Sequence, residues 1–391
     1  MLNSPFSPWP SFTQEEADAV SRVLLSNRVN YWTGTECRQF EEEFSQWADC
    51  NYAVALANGT LALDVALKAL DVGAGDEVIT TPRTFLATAS SIVTAGAIPV
   101  FADVDCDSQN ISAETIKPLI TEKTKAIIVV HLAGMPAEMD AIMALAEQHN
   151  LAVIEDCAQA HGAKYKGRSV GSIGHIGAWS FCQDKIMTTG GEGGMVTTND
   201  KGLWSRMWSY KDHGKSWGAV YEQAHPPGFR WLHNSFGTNW RMTEMQAVIG
   251  RIQLKRMAEW TELRQRNARI LNEAVSDLPV IRQIKLPDYI EHAAYKHYLF
   301  INPHYLKPEW TRDKVLEEIN QLGVPALQGS CSEVYNEKAF DGTGFRPATP
   351  LPNAQYLGET SMMFLVHPTL TKQEIEKTAE VLRQVLMNAS K

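Results

Sequence analysis

The chain has 391 residues, 44% apolar and 21% charged, the composition of a folded globular protein without disordered or fibrous tracts. Its 45 acidic residues outnumber 36 basic ones for a formal charge of −9, and no basic block occurs, which argues against nucleic acid as a partner. That length exceeds what one core usually organises and predicts a large domain followed by a smaller one.

Thr13 with Glu16 predicts a capping box for a helix reaching about Asn27, and Phe40, Phe44 and Trp47 mark the buried stripe of a second helix. From Tyr52 short apolar strands alternate with helices: Tyr52–Leu56, Val78–Thr81, Ile98–Phe101, Ala126–Val130, Ala152–Glu155, Ala178–Phe181 and Met195–Thr198. The alternation predicts an α/β fold with a mainly parallel sheet between helices. Residues 177–198 hold two strand-like runs joined by a Gly-rich connection with no helical pattern, so the sheet is expected to be mixed, with an antiparallel pairing near that edge. Met245, Val248, Ile249 and Ile252 give helical spacing up to about Gln265, and Leu278-Pro279 then breaks the pattern. The expected division is a lead-in and large domain over 1–265 and a small α+β domain over 266–391. The latter reads as strand Tyr298–Ile301, helix Arg312–Leu322, an irregular stretch from Gln328 to Leu357, and a last helix capped by Thr371 with Glu374.

The six cysteines form no CxxC pair and share no zinc-like spacing with histidine, so they are read as free thiols and no metal is expected. No apolar run is long enough for a bilayer, and MLNSPFSPWPSF lacks a basic region followed by an apolar one, so no membrane partner is expected and the cytoplasm is the expected location.

In open α/β sheets ligands sit beyond the C-terminal ends of strands, which directs attention to three places. Asn58-Gly59-Thr60 follows the strand ending near Leu56 and opens a helix, offering a close-approach glycine, a hydroxyl and helix N-terminal donors to a phosphate. A plain N-cap turn is the alternative. In Glu155-Asp156-Cys157-Ala158-Gln159-Ala160-His161 an acid emerges from a buried strand and needs a cation or hydrogen bonds; a protonated pyridine nitrogen is one such cation, a nearby loop another partner. Lys185 precedes four glycines in five residues, Gly190 to Gly194, which suggests packing against something bulky, such as a cofactor; a Gly-rich loop beside a solvated lysine is the alternative. Buried, its amine loses charge and becomes nucleophilic towards an aldehyde.

With Gly75-Asp76-Glu77-Val78-Ile79, Thr84-Phe85, Pro99-Val100-Phe101 and Asn239-Trp240-Arg241-Met242 at their spacings, these motifs resemble the DegT/DnrJ/StrS sugar aminotransferases nearly end to end. The resemblance implies a pyridoxal phosphate (PLP) enzyme of the aspartate-aminotransferase fold, fold type I, with a seven-stranded sheet. It implies Lys185 as Schiff-base lysine and proton carrier, Asp156 at the pyridine nitrogen, Gln159 at the ring hydroxyl and Phe85 stacked on the ring. Gly59, Thr60 and Ser180 become phosphate ligands, joined by Asn239 from a neighbouring subunit, which implies a homodimer with shared sites. On residues alone Phe85 reads as core and Asn239 as a turn before the helix near Thr243.

The implied reaction is amination of a nucleotide-linked keto sugar with L-glutamate as donor, for polysaccharide, glycan or antibiotic-sugar assembly. Dehydratase relatives carry His at the Schiff-base position, so Lys185 favours transamination. Alternatives are a non-catalytic PLP-binding regulator and a PLP enzyme for a carbocyclic or amino-acid substrate. Trp32, Gly34 and Arg241 are candidate substrate contacts, as is Lys211-Asp212-His213-Gly214-Lys215, each with a structural alternative. Two departures from the family stand out: Gly329-Ser330-Cys331-Ser332 through Lys338, where relatives carry a His-Tyr…Pro-Leu-His type stretch, and Arg83, a candidate substrate contact that is expected rather in a surface ion pair.

Overall fold

A computed structural model describes residues 6–391. The lead-in forms α1 (Gln14–Leu25) and α2 (Glu36–Trp47). The Glu16 carboxylate accepts from the Thr13 backbone N–H at 2.8 Å, completing the predicted capping box. Phe40 and Phe44 of α2 are fully buried against Phe181 and Trp179, with ring centroids 5.4 and 5.2 Å apart. That contact fastens the lead-in to the central sheet just behind the lysine-bearing loop.

Strands and helices then alternate as β1 (Tyr52–Leu56), α3 (Gly59–Ala69), β2 (Glu77–Thr80), α4 (Ala87–Thr94), β3 (Ile98–Phe101), α5 (Ala113–Ile116), β4 (Thr124–Val130), α6 (Met139–Gln148) and β5 (Ala152–Asp156). Two short strands, β6 (Lys164–Tyr165) and β7 (Arg168–Ser169), precede β8 (Ile176–Ser180), β9 (Gly194–Thr198), α7 (Lys201–Lys211), α8 (Glu244–Leu254) and α9 (Met257–Ala274). Seven of these strands form one sheet in the order β1-β9-β8-β5-β4-β2-β3. β4 buries all but one of its residues, as a strand covered on both faces must.

The sheet is mixed, as expected, but its reversed strand is internal. β9 runs antiparallel to both β1 and β8, with Gly194 opposite both Leu56 and Ser180. All other pairings are parallel. β1, β5 and β8 therefore point the same way, and Leu56, Asp156 and Ser180 end at one rim of the sheet.

The predicted helix up to Gln265 is two helices. The chain turns at Lys255-Arg256, where Arg256 pairs with Glu15 and Glu16 of α1 at 2.6 and 2.7 Å, and α9 then continues to Ala274. Met257 and Trp260 of α9 pack in the core beside the large sheet, while Leu271 belongs to the core of a second sheet.

That second sheet comes from β10 (Ile281–Arg282), β12 (His297–Ile301), β13 (Ala326–Leu327) and β14 (Ser361–Phe364), all antiparallel in the order β10-β12-β14-β13. α10 (Arg312–Gln321) and α12 (Lys372–Ala389) cover it through Val315, Leu382 and Leu386. Thr371 caps α12 by accepting from Glu374 N–H at 3.2 Å, as predicted. The stretch from Gln328 is irregular until Pro352 opens α11 (Pro352–Thr360) with its fixed φ. β11 (Ile290–Glu291) pairs with β6 in a ribbon of two-residue strands, too short to leave a periodic pattern in the sequence. Among the described residues no helix is long and apolar enough to cross a membrane.

Candidate active site

The rim formed by β1, β5 and β8 opens into a cavity of about 720 Å³, lined among others by Thr60, Asp156, Gln159, Ser180 and Lys185. β1 leads directly into α3. Asn58 Oδ1 accepts from Leu61 N–H at 3.0 Å, which caps the helix and leaves the amides of Gly59 and Thr60 without helical acceptors at the cavity edge. A Cβ on Gly59 would stand 2.5 Å from Ser180 Cβ, so glycine is what lets the α3 N-terminus and the end of β8 close on one anion site.

Asp156 ends β5 and is buried. Its Oδ2 accepts from Thr88 Oγ1 at 2.9 Å and its Oδ1 from Ala158 N–H at 3.1 Å, which fixes the carboxyl plane, but no ion pair reaches it among the described residues. Burial pushes this carboxyl above its usual range, against the pull of the Ala158 and Thr88 bonds and the Lys185 charge. The carboxyl is thus an oriented acceptor lacking a cation. Gln159 Oε1 accepts from Ala133 N–H at 2.8 Å, which leaves its amide Nε2 as the donor to the cavity.

Lys185 Nζ stands 4.0 Å from Asp184 Oδ1 and 5.4 Å from the Tyr295 ring. Tyr295 Oη donates to Asp184 Oδ2 at 2.6 Å. Burial works against the Asp184 carboxylate, yet Lys185 and the Tyr295 hydroxyl hold it below the usual range. Burial and the Arg264 and Lys185 charges bring Lys296, also on the cavity wall, down to about 8. Thr88, Asp184, Tyr295 and Lys296 were not foreseen; the legible signal was a lysine set within the buried run Ala293 to Ile301.

Phe85 is 71% exposed and lines the cavity, so it is no core residue in this chain. Two glycines of the cluster are explained by the chain itself. A Cβ on Gly194 would lie 2.2 Å from the Asn58 carbonyl oxygen, and one on Gly193 within 3.2 Å of Thr189, Met242 and Phe181. Gly193 and Gly194 thus make room for the chain's own neighbouring segments, whereas Gly190 and Gly191 take positive φ of +83° and +117°, and a Cβ on Gly191 would meet nothing within 4 Å.

Asn239 is exposed and lies outside the cavity, its backbone bridged to Asp212. Trp32, Arg241 and Lys215 gather around the same place: Arg241 and Lys215 pair with the buried Asp212 at 2.8 and 3.1 Å, and Lys215 Nζ sits 4.0 Å from the Trp32 ring centroid. Arg241 also bridges to Leu56, beside the end of β1. Gly34 packs on Glu244, whose Oε2 a Cβ would meet at 2.1 Å. None of Trp32, Gly34 or Arg241 lines the cavity of its own chain. Arg83 overturns its expected surface ion pair. It is fully buried and its hydrogen-bond acceptors are all neutral, because the small sheet and its loops cover a segment whose polar sequence reads as exposed.

The DegT/DnrJ/EryC1/StrS aminotransferase family profile matches residues 10–383. The chain belongs to that family. The X-ray structure of the aminotransferase from Psychrobacter cryohalolentis superposes with a TM-score of 0.98 at 65% identity, covering 98% of this chain and 100% of that one. The aminotransferase is also 36% identical over 386 residues to UDP-N-acetyl-3-dehydro-alpha-D-glucosamine 3-aminotransferase from Acidithiobacillus ferrooxidans, covering 98% and 96% of the two chains. It is 40% identical over 269 residues to GDP-perosamine synthase from Escherichia coli O157:H7, covering 69% and 71%. It is therefore a PLP-dependent aminotransferase of fold type I. The cavity fits that cofactor on its own terms: an oriented, buried carboxyl lacking a cation, a lysine lining the same cavity, and an anion cradle between α3 and β8.

Proposed function

We propose that the aminotransferase converts a keto sugar carried on a nucleotide into an amino sugar, with L-glutamate as donor, in the cytoplasm and for polysaccharide, glycan or antibiotic-sugar assembly. One observation carries this reading: a single cavity runs from the α3 N-terminus past Asp156 and Lys185 to Tyr298, Ser330 and Cys331, so a ligand beside the lysine also meets the small sheet. The named relatives act on nucleotide-linked sugars.

When bound, PLP supplies an electron sink for the negative charge that develops beside the transferred nitrogen. Asp156, held by Thr88 and Ala158, would face the ring nitrogen and keep its proton in place. Gly59, Thr60 and Ser180 would hold the phosphate, Gln159 Nε2 the ring hydroxyl, and Phe85 one ring face. Lys185 Nζ would anchor the cofactor aldehyde and then move a proton at the substrate carbon, with Asp184 Oδ1 4.0 Å away.

We further propose a homodimer in which Asn239 reaches the partner's phosphate site, and a division into a large unit (1–265) and a small one (266–391) joined along α9. Trp32 and Arg241, gathered with Asn239 around Asp212, would meet the nucleotide from that neighbouring subunit, along with Gly34 of the same loop as Trp32. Trp231 and Phe236, 82% and 99% exposed on the segment leading to Asn239, offer apolar surface that a second copy would cover. Phe236→Asp should raise the monomer fraction in sedimentation runs; an unchanged dimer would reject the patch.

The reaction is tested by incubating purified enzyme and glutamate with 3-keto and 4-keto nucleotide sugars and looking for amino sugar by mass spectrometry. Turnover of free amino-acid pairs alone would reject the sugar assignment.

A further inference from the structure

Arg83 immediately precedes Thr84 and Phe85 on the cavity wall, and it is fully buried. Its Nε and Nη2 donate to Gln109 Oε1 at 3.1 and 3.0 Å, its Nη1 to Ser332 Oγ at 2.8 Å, and its Nη2 also to Ser361 Oγ at 3.1 Å. Its Cζ lies 5.7 Å from the Tyr298 ring centroid. Burying a guanidinium among neutral acceptors is costly, and an apolar side chain would serve packing alone better. What arginine adds is a rigid planar fork that reaches three acceptors at once.

Those acceptors belong to one purpose. Ser361 Oγ donates to the Gln328 carbonyl at 2.8 Å, and Val334 N–H donates to the Pro82 carbonyl at 2.9 Å, so the segment 328–334 is tied at both ends and at Ser332 to the strip carrying Arg83. Between the ties, Ser330 N–H donates to Tyr298 Oη at 2.9 Å. Gly329, at φ +105°, lies where a Cβ would come within 2.5 Å of the Tyr298 ring. Gly329, Ser330 and Cys331 line the same cavity as the cofactor residues.

We propose that Arg83 is a positioning residue that sets which keto sugar the cavity accepts, by clamping the 328–334 segment against the strip that leads into Phe85. This rests on the sugar-nucleotide reading above. The two places where the chain departs from its family pattern, Arg83 and the segment after Gly329, are thus one device, joined by the Arg83–Ser332 bond.

The test compares the parent holoenzyme with Arg83→Met, Arg83→Lys and Ser332→Ala, the last leaving the guanidinium in place should Arg83→Met fold poorly. Glutamate alone, followed through the cofactor absorbance, reports the donor half-reaction; a UDP-linked 3-keto hexose and a GDP-linked 4-keto hexose report the acceptor half. Hydrogen exchange at Ser330 and Val334 reports the clamp without any turnover. Arg83→Met should raise KM for the accepted keto sugar about tenfold, equivalent to ~1.4 kcal/mol, change the preference between the two sugars, and speed exchange at both amides. The donor half-reaction should change less than about twofold if only the acceptor side is disturbed. Ser332→Ala should shift the same readouts in the same direction, and Arg83→Lys should not restore them, since charge without the fork cannot reach three acceptors. Equal losses in both half-reactions, full rescue by lysine, or unchanged exchange at Ser330 and Val334 would overturn the proposal. If the parent reacts with glutamate but with neither sugar, the substrate reading fails, while the exchange rates still decide whether Arg83 holds the segment.

Discussion

Adding a single methyl group at Gly59 should open the phosphate cradle. The new Cβ would stand 2.5 Å from Ser180 Cβ, 2.8 Å from its Oγ and 3.0 Å from its Cα, whereas carbon atoms pack comfortably at roughly 3.5–4.0 Å. Helix α3 and the end of β8 must therefore part by about 1 Å, and neither can yield by rotating a side chain because a backbone atom is among the obstacles. Over-packing of this kind costs about 2 kcal/mol. Borne by the holo form, that cost weakens PLP binding by roughly thirtyfold. Apo-protein of Gly59→Ala, titrated with PLP, gives the dissociation constant, and a thermal melt of the same sample shows whether the fold survives. Ser180→Gly should by itself weaken binding through loss of the hydroxyl, yet in the Gly59→Ala background it should recover part of the affinity by removing the opposing Cβ. A Gly59→Ala protein with parental affinity and melting point would refute this reasoning. So would a double variant whose losses simply add.

Lys185→Ala should abolish transamination while PLP still binds noncovalently, as judged by its loss on dialysis; retained turnover would refute the assigned role. Glu155 accepts from His131 Nε2 at 2.9 Å and from the Gly171, Ile173 and Gly174 amides at 2.8, 2.8 and 2.6 Å, so Glu155→Gln should cost about 3 kcal/mol in a urea melt. A loss below measurement error would show that this network is dispensable. His161 is fully buried between Trp179 and Phe181, and burial, with the Lys185 and Arg264 charges, lowers it to about 3. The unfolded chain then binds its proton near pH 6.5 and the folded one does not, so the stability is complete above that value and falls as pH drops. At pH 5 the loss from this one group is about 2 kcal/mol. His161→Phe should flatten the slope between pH 7 and 5, and an unchanged slope would exonerate this histidine.

Much of the large sheet was legible because its strands are short apolar runs alternating with helical segments, and β5 carries Asp156 to its rim as the sequence predicts. Lys185, Gly59 and Thr60 reach that rim for the same reason: each follows a strand end or opens a helix. Contacts made across the sequence were not legible. Tyr295 meets Asp184 over 111 positions, and nothing local to either residue announces the pairing. The surface reading of Arg83 failed because Thr81-Pro82-Arg83-Thr84 has the polarity of a loop, while its cover comes from Ser332 and Ser361 some 250 residues later. In the glycine cluster, Gly193 and Gly194 answer to the chain's own atoms, since close approach of one's own backbone and of a ligand place the same demand on a side chain.

The reversed strand β9 also dictates an order of assembly. β1 lies at the edge of the sheet and among the described residues its only neighbour there is β9, residues 194–198, so the strand made first among the seven stays unpaired until the last has been made. The parallel block β2 to β8 can close without either. Only when β9 settles beside β8 does Gly194 offer its flank to Leu56, bring Asn58 and Gly59 against Ser180, and complete the anion cradle. Such long sequence separation slows pairing and leaves an open edge in the meantime. During synthesis the ability to bind a phosphate thus arrives late and all at once, which makes PLP a ligand of the finished sheet and a reporter of its closure.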